Sequence, residues 1–265
     1  MTLESVDFIE AGKGPTVILL HSSVSGARQW RSLMELLAGR FRCVAPNFYG
    51  YGATAAWPGP QDQTLLDQAK LLDGLLPPDG AAFSLVGHSF GATVAMKAAA
   101  RFRGRVQRLV LLEPNPTYLL KRTGRTAAYA EFLALRDLVK EKGGAGDWAA
   151  AAAAFADYWT GAGSWAAMPD DRKAKFIAAL KPNPHEWDAV LNDEEADLAD
   201  WAADLPRQTT LVGAADTTPA LKAVLGMLRD GCPQWRFESL PEGGHMAPLT
   251  RPELVNPIVE RALVR

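Results

Sequence analysis

The chain alternates short, continuously apolar runs with longer stretches of helical spacing. The apolar runs cover residues 16–20, 43–45, 83–86, 109–112 and 209–212. The stretches with helical spacing cover residues 28–38, 64–76, 91–102, 219–229 and 251–264. Continuous apolar character indicates strands that are covered on both faces, as in a parallel sheet. The alternation therefore predicts an α/β fold with a mostly parallel, doubly wound sheet and right-handed crossovers.

The alternation stops after Glu113. Residues 114–206 contain no pattern typical of a buried strand, but they contain helical stretches, an alanine-rich tract and scattered prolines and glycines. We therefore predict a helical cap or lid at 114–206, inserted between two parts of one core at 1–113 and 207–265. Open α/β sheets bind ligands beyond the carboxyl ends of their strands, where such a cap would sit.

Length, charge and cysteine content limit the classes of function. The chain has 265 residues, of which 48% are hydrophobic, which is enough for one large core. Its 28 basic and 30 acidic residues are mixed along the sequence, so no basic face for nucleic acid is predicted. No segment resembles a secretory signal or a membrane span, and the two cysteines suit a reducing compartment. These features predict a soluble cytoplasmic protein that acts on a small molecule, and they leave its oligomeric state open.

The motif G-x-S-x-G at residues 87–91 is the strongest chemical signal in the sequence. An apolar strand precedes it and a helix follows it. A serine at such a turn adopts a strained backbone and presents its hydroxyl beyond the sheet, while the helix N-terminus favours negative charge nearby. This context predicts that Ser89 is a nucleophile.

A serine nucleophile needs a histidine as general base, and the chain has four histidines. His88 adjoins Ser89 and should point away from it, whereas His21 ends the first strand and should shape the floor of the pocket. His185 lies in the insertion, where a surface or cap role is expected. His245 follows the last strand in a loop that two glycines allow to fold tightly, and it is the predicted base.

The base in turn needs a carboxylate, and acyl transfer needs backbone donors for the oxyanion. Asp216 follows the strand at 209–212 and fits the chain order serine, acid, histidine, so it is the predicted acid. Glu113, also at a strand end, is the substitute candidate. The predicted oxyanion donors are the amides of Phe90 and of Ser23, which is favoured over Ser22.

Taken together, these segments resemble the α/β-hydrolase family over nearly the whole chain. The motifs that carry the resemblance are His21-Ser22-Ser23, the loop at 46–52, the elbow around Ser89, residues 213–216, and Gly243-Gly244-His245. The resemblance implies the α/β-hydrolase fold and a triad of Ser89, Asp216 and His245. Most relatives have His-Gly where this chain has His21-Ser22. Epoxide hydrolases and haloalkane dehalogenases of this fold use aspartate as nucleophile, so Ser89 argues against both activities.

The leading expectation is hydrolysis of a small carboxylic ester or lactone through an acyl-enzyme. An aromatic-rich insertion favours an apolar or aromatic substrate. A carbon-carbon bond hydrolase acting on a dienoic keto acid and a cofactor-free perhydrolase are the alternatives within enzymes, and a non-catalytic ligand receptor is the alternative of another class. The histidines and cysteines do not cluster at ligand spacing, so neither a metal nor a cofactor is expected.

Overall fold

A seven-stranded sheet organises the computed structural model, which describes residues 6–78, 80–192 and 196–264. Each of the three predicted segments, 1–113, 114–206 and 207–265, thus includes residues outside the described ones. The strands are β1 Phe8–Ala11, β2 Thr16–Leu20, β3 Arg42–Pro46, β4 Phe83–His88, β5 Val106–Leu112, β6 Thr209–Ala214 and β7 Arg236–Leu240. Their order is β1-β3-β2-β4-β5-β6-β7, with β1 antiparallel to β3 and every other pair parallel. The predicted fold class is confirmed.

Helices cover both faces of this sheet. The described α-helices are α1 Arg31–Leu37, α2 Leu65–Lys70, α3 Phe90–Arg101, α4 Tyr118–Arg122, α5 Thr126–Gly144, α6 Trp148–Thr160, α7 Ser164–Ala167, α8 Asp170–Leu180, α9 Asn183–Asn192, α10 Leu198–Asp204, α11 Pro219–Gly231, α12 Ala247–Thr250 and α13 Pro252–Val264. A short 3₁₀ helix, Ala27–Trp30, precedes α1. No helix among the described residues is both long and apolar enough to cross a membrane.

The alternation of side chains along each buried strand divides the core in two. In β2, Ile18 and Leu20 belong to the cluster on the side of α2, α3 and α11, whereas Val17 and Leu19 belong to the cluster on the side of α1 and α13. β2 contributes to both clusters, because all five of its residues are buried. A strand covered on both faces needs apolar residues at every position, which is why the sequence pattern was continuous rather than alternating.

Two strands and one helix boundary differ from the sequence prediction. β1 and β7 are edge strands whose residues are mostly half-exposed, so neither gives a continuous apolar run. The helix predicted over 64–76 ends much earlier, since α2 stops at Lys70 and turns follow. Its start is fixed by a capping box, in which the Thr64 side chain accepts from the Asp67 amide and the Asp67 side chain accepts from the Thr64 amide.

The stretch between β5 and β6 contains helices α4 to α10. Their aromatic residues pack in the same apolar cluster as one face of the sheet; the buried ones include Phe132, Phe155, Trp159, Trp187 and Trp201. The helices therefore lie against the core instead of forming an apolar cluster of their own. Whether 114–206 acts as a separate cap stays a prediction.

Two glycines allow α3 to approach the sheet closely. A Cβ on Gly91 would lie 2.3 Å from the carbonyl oxygen of His21 and 2.4 Å from that of Leu20, and one on Gly87 would lie 2.4 Å from the carbonyl oxygen of Gly91. All three contacts are with backbone, which cannot turn aside as a flexible side chain can. The turn from β4 into α3 therefore requires glycine at both positions.

We expect Gly91→Ala to lower the free energy of unfolding by about 1–3 kcal/mol, because the added methyl group overpacks the contact between α3 and β2. Gly226→Ala is the matched control. Gly226 lies inside α11 and a Cβ there would meet nothing within 4 Å, so this change should raise stability by about 0.5–1 kcal/mol through helix propensity. Urea denaturation followed by circular dichroism measures both. Equal effects of the two substitutions would contradict this packing argument.

Candidate active site

Ser89 lies at the tip of the turn between β4 and α3. Its φ of 55° and ψ of −121° are strained for a residue with a side chain. The Ser89 amide donates to the carbonyl oxygen of Leu112 at 2.9 Å, which fixes the turn against the end of β5. The strand, the turn and the helix thus hold the hydroxyl in one place at the carboxyl edge of the sheet.

His245 reaches Ser89 from the loop after β7. Its Nε2 lies 2.8 Å from Ser89 Oγ, and its side chain is buried. Gly243 and Gly244 precede it with φ of 110° and 56°, a left-handed path that directs the imidazole inward. The structure therefore brings the predicted nucleophile and the predicted base within hydrogen-bond distance.

The carboxylate at His245 is that of Glu113, not that of Asp216 as the sequence predicted. Glu113 Oε2 lies 2.8 Å from His245 Nδ1 and also accepts from the Thr217 hydroxyl at 2.8 Å, while Oε1 accepts from the Ala214 amide at 2.7 Å. With Glu113 Oε2 as the acceptor, Nδ1 donates, and Nε2 accepts the hydrogen bond from the Ser89 hydroxyl. The predicted contact of Asp216 with the histidine is wrong.

Asp216 instead binds the backbone of the loop that carries His245. Its carboxylate accepts from the Gly243 amide at 3.1 Å and from the Gly244 amide at 2.8 Å, and the residue is exposed. Partial desolvation opposes ionisation, but the Gly244 and Gly243 amides, the amide of Asp216 itself and the charge of Lys222 together hold the pKa of Asp216 below its ordinary value. Asp216 therefore shapes the loop from outside while Glu113 contacts the imidazole.

The order of the strands in the sheet explains why Glu113, and not Asp216, contacts His245. β5 is the immediate neighbour of β4, so the residue after β5 lies directly beside the Ser89 turn. Glu113 has a φ of 47°, and its amide donates to the carbonyl oxygen of Val212 at 2.9 Å. This second left-handed turn, next to that of Ser89, places the carboxylate at the same edge of the sheet. The sequence listed Glu113 at a strand end but did not reveal which strand pairs with which.

His88 and His21 serve the architecture around the site. His88 donates from Nε2 to the His245 carbonyl oxygen at 2.8 Å, and its Nδ1 accepts from Gln29 Nε2 at 3.1 Å. His21 donates from Nδ1 to the Ser22 carbonyl oxygen at 2.8 Å and accepts at Nε2 from the Phe48 amide at 3.1 Å. Burial lowers the pKa of His21 to about 4 and that of His88 well below its usual value, so both rings are neutral.

The turn after β2 contributes the other predicted donor. The Ser22 amide donates to Gln29 Oε1 at 3.0 Å, and the Val24 amide donates to the Tyr51 hydroxyl at 2.9 Å. Val24 has a φ of 65°, which is rare for a β-branched residue and marks a constrained turn. Ser23 lies between these two occupied amides, and both Ser23 and Phe90 line the cavity that contains Ser89.

That cavity has a volume of about 160 Å³ and is mainly apolar. Its walls include the turn at 22–25, the Ser89 and His245 side chains, and residues of α6, α8 and α9. The apolar side chains from these helices and the nearby loop include Phe155, Trp159, Phe176, Trp187, Val190 and Met246. His185, although in α9, does not line it. The site is therefore closed by the stretch that was predicted to form the cap.

Trp159 covers the imidazole of His245. The centroids of the two rings lie 4.1 Å apart with an angle of 33° between their planes, and both side chains are buried. An aromatic face at this distance restricts the rotation of the His245 ring. The sequence identified Trp159 only as one of several aromatic residues in the insertion.

Sequence reasoning also missed a polar group on the wall of the cavity. Glu186 of α9 accepts from the Tyr51 hydroxyl at 2.8 Å and from Asn183 Nδ2 at 3.0 Å. Tyr51 lies 135 positions earlier in the chain, so no local sequence pattern indicated the contact. Across residues 6–78, 80–192 and 196–264, no group of three or more histidine, cysteine, aspartate or glutamate side chains is placed to hold a metal ion.

Curated relatives of this chain carry out different reactions. It is 33% identical over 112 residues to a haloalkane dehalogenase of Mesorhizobium japonicum, with 41% of this chain and 35% of that protein matched. It is 34% identical over 109 residues to 2-hydroxy-6-oxo-2,4-heptadienoate hydrolase of Pseudomonas putida, with 39% and 38% matched. It is 30% identical over 120 residues to pimeloyl-(acyl-carrier protein) methyl ester esterase of Nitrosomonas europaea, with 44% of each matched. The chain thus spans less than half the length of these relatives.

Solved hydrolase structures match nearly the whole chain. Four of them align with 98% of it and with 94–96% of their own chains, at TM-scores of 0.70–0.76 and 15–22% identity. Identity this low supports the fold alone. The model of the alpha/beta hydrolase family matches residues 17–258. The chain therefore belongs to the alpha/beta hydrolase family.

Proposed function

We propose that this protein is a serine hydrolase that cleaves a small, apolar or aromatic carboxylic ester or lactone through an acyl-enzyme. The observation that carries the proposal is the position of His245, which lies 2.8 Å from Ser89 on one side and 2.8 Å from Glu113 on the other. This chain of hydrogen bonds is the arrangement that activates a serine hydroxyl.

In the first half of the reaction, Ser89 Oγ attacks the carbonyl carbon of the ester while His245 Nε2 takes the hydroxyl proton. Glu113 stabilises the imidazolium that forms and keeps the ring in the correct tautomer. The tetrahedral intermediate collapses when His245 donates this proton to the leaving alkoxide. The alcohol departs, and the acyl group remains on Ser89.

In the second half, a water molecule attacks the acyl carbon and His245 accepts one of its protons. The same proton then returns to Ser89 Oγ as the carboxylic acid leaves, so the enzyme regains its starting state. A lactone follows the same path, with its ring oxygen as the leaving group, and gives a hydroxy acid.

Two backbone amides stabilise the oxyanion in this proposal. The amide of Phe90 lies at the N-terminus of α3, where the helix dipole favours negative charge. The amide of Ser23 is the candidate from the opposite wall, and the neighbouring amides of Ser22 and Val24 are engaged elsewhere. The polar contacts of the turn at 22–25 support its role as a rigid donor site.

The charge of the cavity favours the ester proposal over its main alternative, a carbon-carbon bond hydrolase. A dienoic keto acid, the substrate class of the carbon-carbon bond hydrolase alternative, carries a carboxylate. Among the described residues that line the cavity, there is a glutamate and neither lysine nor arginine. An anionic substrate would therefore meet repulsion, whereas an uncharged ester would not. Ser89 at the nucleophile position speaks against dehalogenation, for which an aspartate nucleophile is expected.

The other expectations on function remain predictions. A perhydrolase would use the same three side chains with peroxide in place of water. A ligand receptor would keep the cavity without turnover. A cytoplasmic location, a small-molecule substrate and independence from nucleic acid and membrane also stay predictions, as does the absence of a cofactor.

A fluorophosphonate probe should label the protein at Ser89 in a stoichiometric manner, because only an activated serine reacts with it. Peptide mapping by mass spectrometry identifies the site. Ser89→Ala should abolish labelling and lower kcat/KM for p-nitrophenyl esters by about 10³-fold or more. Labelling at another residue would refute the assignment of Ser89, and an intact protein that is not labelled and hydrolyses no ester or lactone would refute the proposal and favour the receptor.

Glu113→Gln should lower kcat by about 10³- to 10⁴-fold, because an amide at this position favours the wrong tautomer of His245. Asp216→Asn is the matched control and should cost no more than about tenfold, since Asp216 contacts only the loop backbone. Steady-state kinetics on one p-nitrophenyl ester compares them. An inactive Asp216 variant beside a nearly wild-type Glu113 variant would show that the acid is Asp216.

A further inference from the structure

Glu186 is a buried carboxylate on the wall of the cavity that contains Ser89. Its side chain is 2% exposed, and it lies in α9, where the helices of the insertion close over the sheet edge. It accepts hydrogen bonds from the Tyr51 hydroxyl, from Asn183 Nδ2 and from the Ser23 side chain. These three donors are all uncharged. Within the part of the chain that the structure describes, no lysine, arginine or histidine forms an ion pair with Glu186.

A buried carboxylate without a countercharge is costly. Removing an ion from water is offset only by hydrogen bonds and by an opposite charge, and Glu186 has only the former. Burial raises the pKa of Glu186 despite the three hydrogen bonds. The Asp188 carboxylate, two residues along the same helix, shows the contrast because it pairs with Lys140. Among the described residues, Glu186 therefore lacks a cationic partner, and a cationic ligand would supply the missing positive charge.

A second buried acceptor lies on the same wall and, unlike the Glu186 carboxyl group, has no hydrogen-bond donor among the described residues. Asn183 is 3% exposed, and its Oδ1 accepts no hydrogen bond from any residue that the structure describes. The amide orientation is fixed by its neighbour, because Nδ2 donates to Glu186 and the reversed amide would set Oδ1 against the carboxylate. Asn183 and Glu186 thus offer one unsatisfied acceptor and one carboxyl group without a countercharge, three residues apart on α9.

The rest of the cavity suits the apolar body of a small cation. Phe155, Trp159, Phe176 and Trp187 line it together with Glu186. Aromatic faces attract ammonium groups through their quadrupoles and pack against rings and short chains. A cavity of about 150 Å³ accommodates a benzene ring, and this cavity measures about 160 Å³.

We propose that the cavity binds a substrate with a protonated amino group, and that Glu186 and the Asn183 carbonyl hold this group while Ser89 acts on the ester or lactone. The proposal rests on the function proposed above and narrows the substrate to amino esters and amino lactones. Because Ser23 and Tyr51 connect Glu186 to the turn at 22–25, the ammonium group is bound next to the donors of the oxyanion site. Glu186 and Asn183 are specificity residues in this account and take no part in proton transfer.

Direct binding tests this proposal without requiring turnover. Isothermal titration calorimetry compares benzylammonium with benzyl alcohol, which has the same ring and nearly the same size but no charge. At neutral pH the wild-type protein should bind benzylammonium at least about tenfold more tightly, as expected for a charge-assisted hydrogen bond. Glu186→Gln, which keeps an acceptor for Tyr51 and removes the charge, should reduce this preference to about twofold or less.

Glu131→Gln is the matched control. Glu131 accepts from the Tyr158 hydroxyl at 2.6 Å, so this change also alters a glutamate–tyrosine pair near the cavity, but Glu131 does not line it. The control should retain the wild-type preference. Equal binding of the two ligands by the wild type, or a preference that Glu186→Gln leaves unchanged, would overturn the proposal. A failure to hydrolyse esters would overturn only the function proposed above, because the calorimetric preference does not depend on catalysis.

Discussion

The hydrogen bonds of His245 are the interaction on which the rest of the site depends. One imidazole connects Ser89, at the end of β4, with Glu113, at the end of β5, and both partners lie in left-handed turns at 2.8 Å from it. Strained turns persist only where their surroundings fix them. Here the amides of Ser89 and Glu113 donate to the neighbouring strands, so the ladder of the sheet itself holds the two side chains in register.

The surrounding residues fix the imidazole from every other direction. Trp159 packs on one face of the ring, His88 binds the backbone carbonyl of His245, and Asp216 binds the two glycine amides that precede it. An imidazole held in this way loses little freedom when it accepts a proton, which is the physical meaning of preorganisation. The insertion takes part directly, since Trp159 belongs to α6, so the stretch predicted as a cap is in contact with the site.

The sequence was informative wherever the chemistry is local. The strand–serine–helix context identified Ser89, and the glycines before His245 identified the loop that turns it inward. The predicted contact of Asp216 with His245 was wrong because the prediction relied on the order of residues along the chain. The position of the acid depends on the order of the strands in the sheet. The partners of the Glu113 side chain come from the end of β6, from the turn after it and from the loop after β7, 101 to 132 residues away, and such contacts leave no short-range signal. The contact of Tyr51 with Glu186 was not predicted either, because the two residues are also far apart in the sequence.

Proton NMR of the hydrogen bond between His245 and Glu113 tests the central claim most directly. When His245 is protonated, its Nδ1 proton should give a single resonance far downfield of the amide region, because the proton lies in a short bond to a buried carboxylate. We expect this resonance in the wild type and in Asp216→Asn, and its loss in Glu113→Gln. A resonance that survives in the Glu113 variant and disappears in the Asp216 variant would contradict the account.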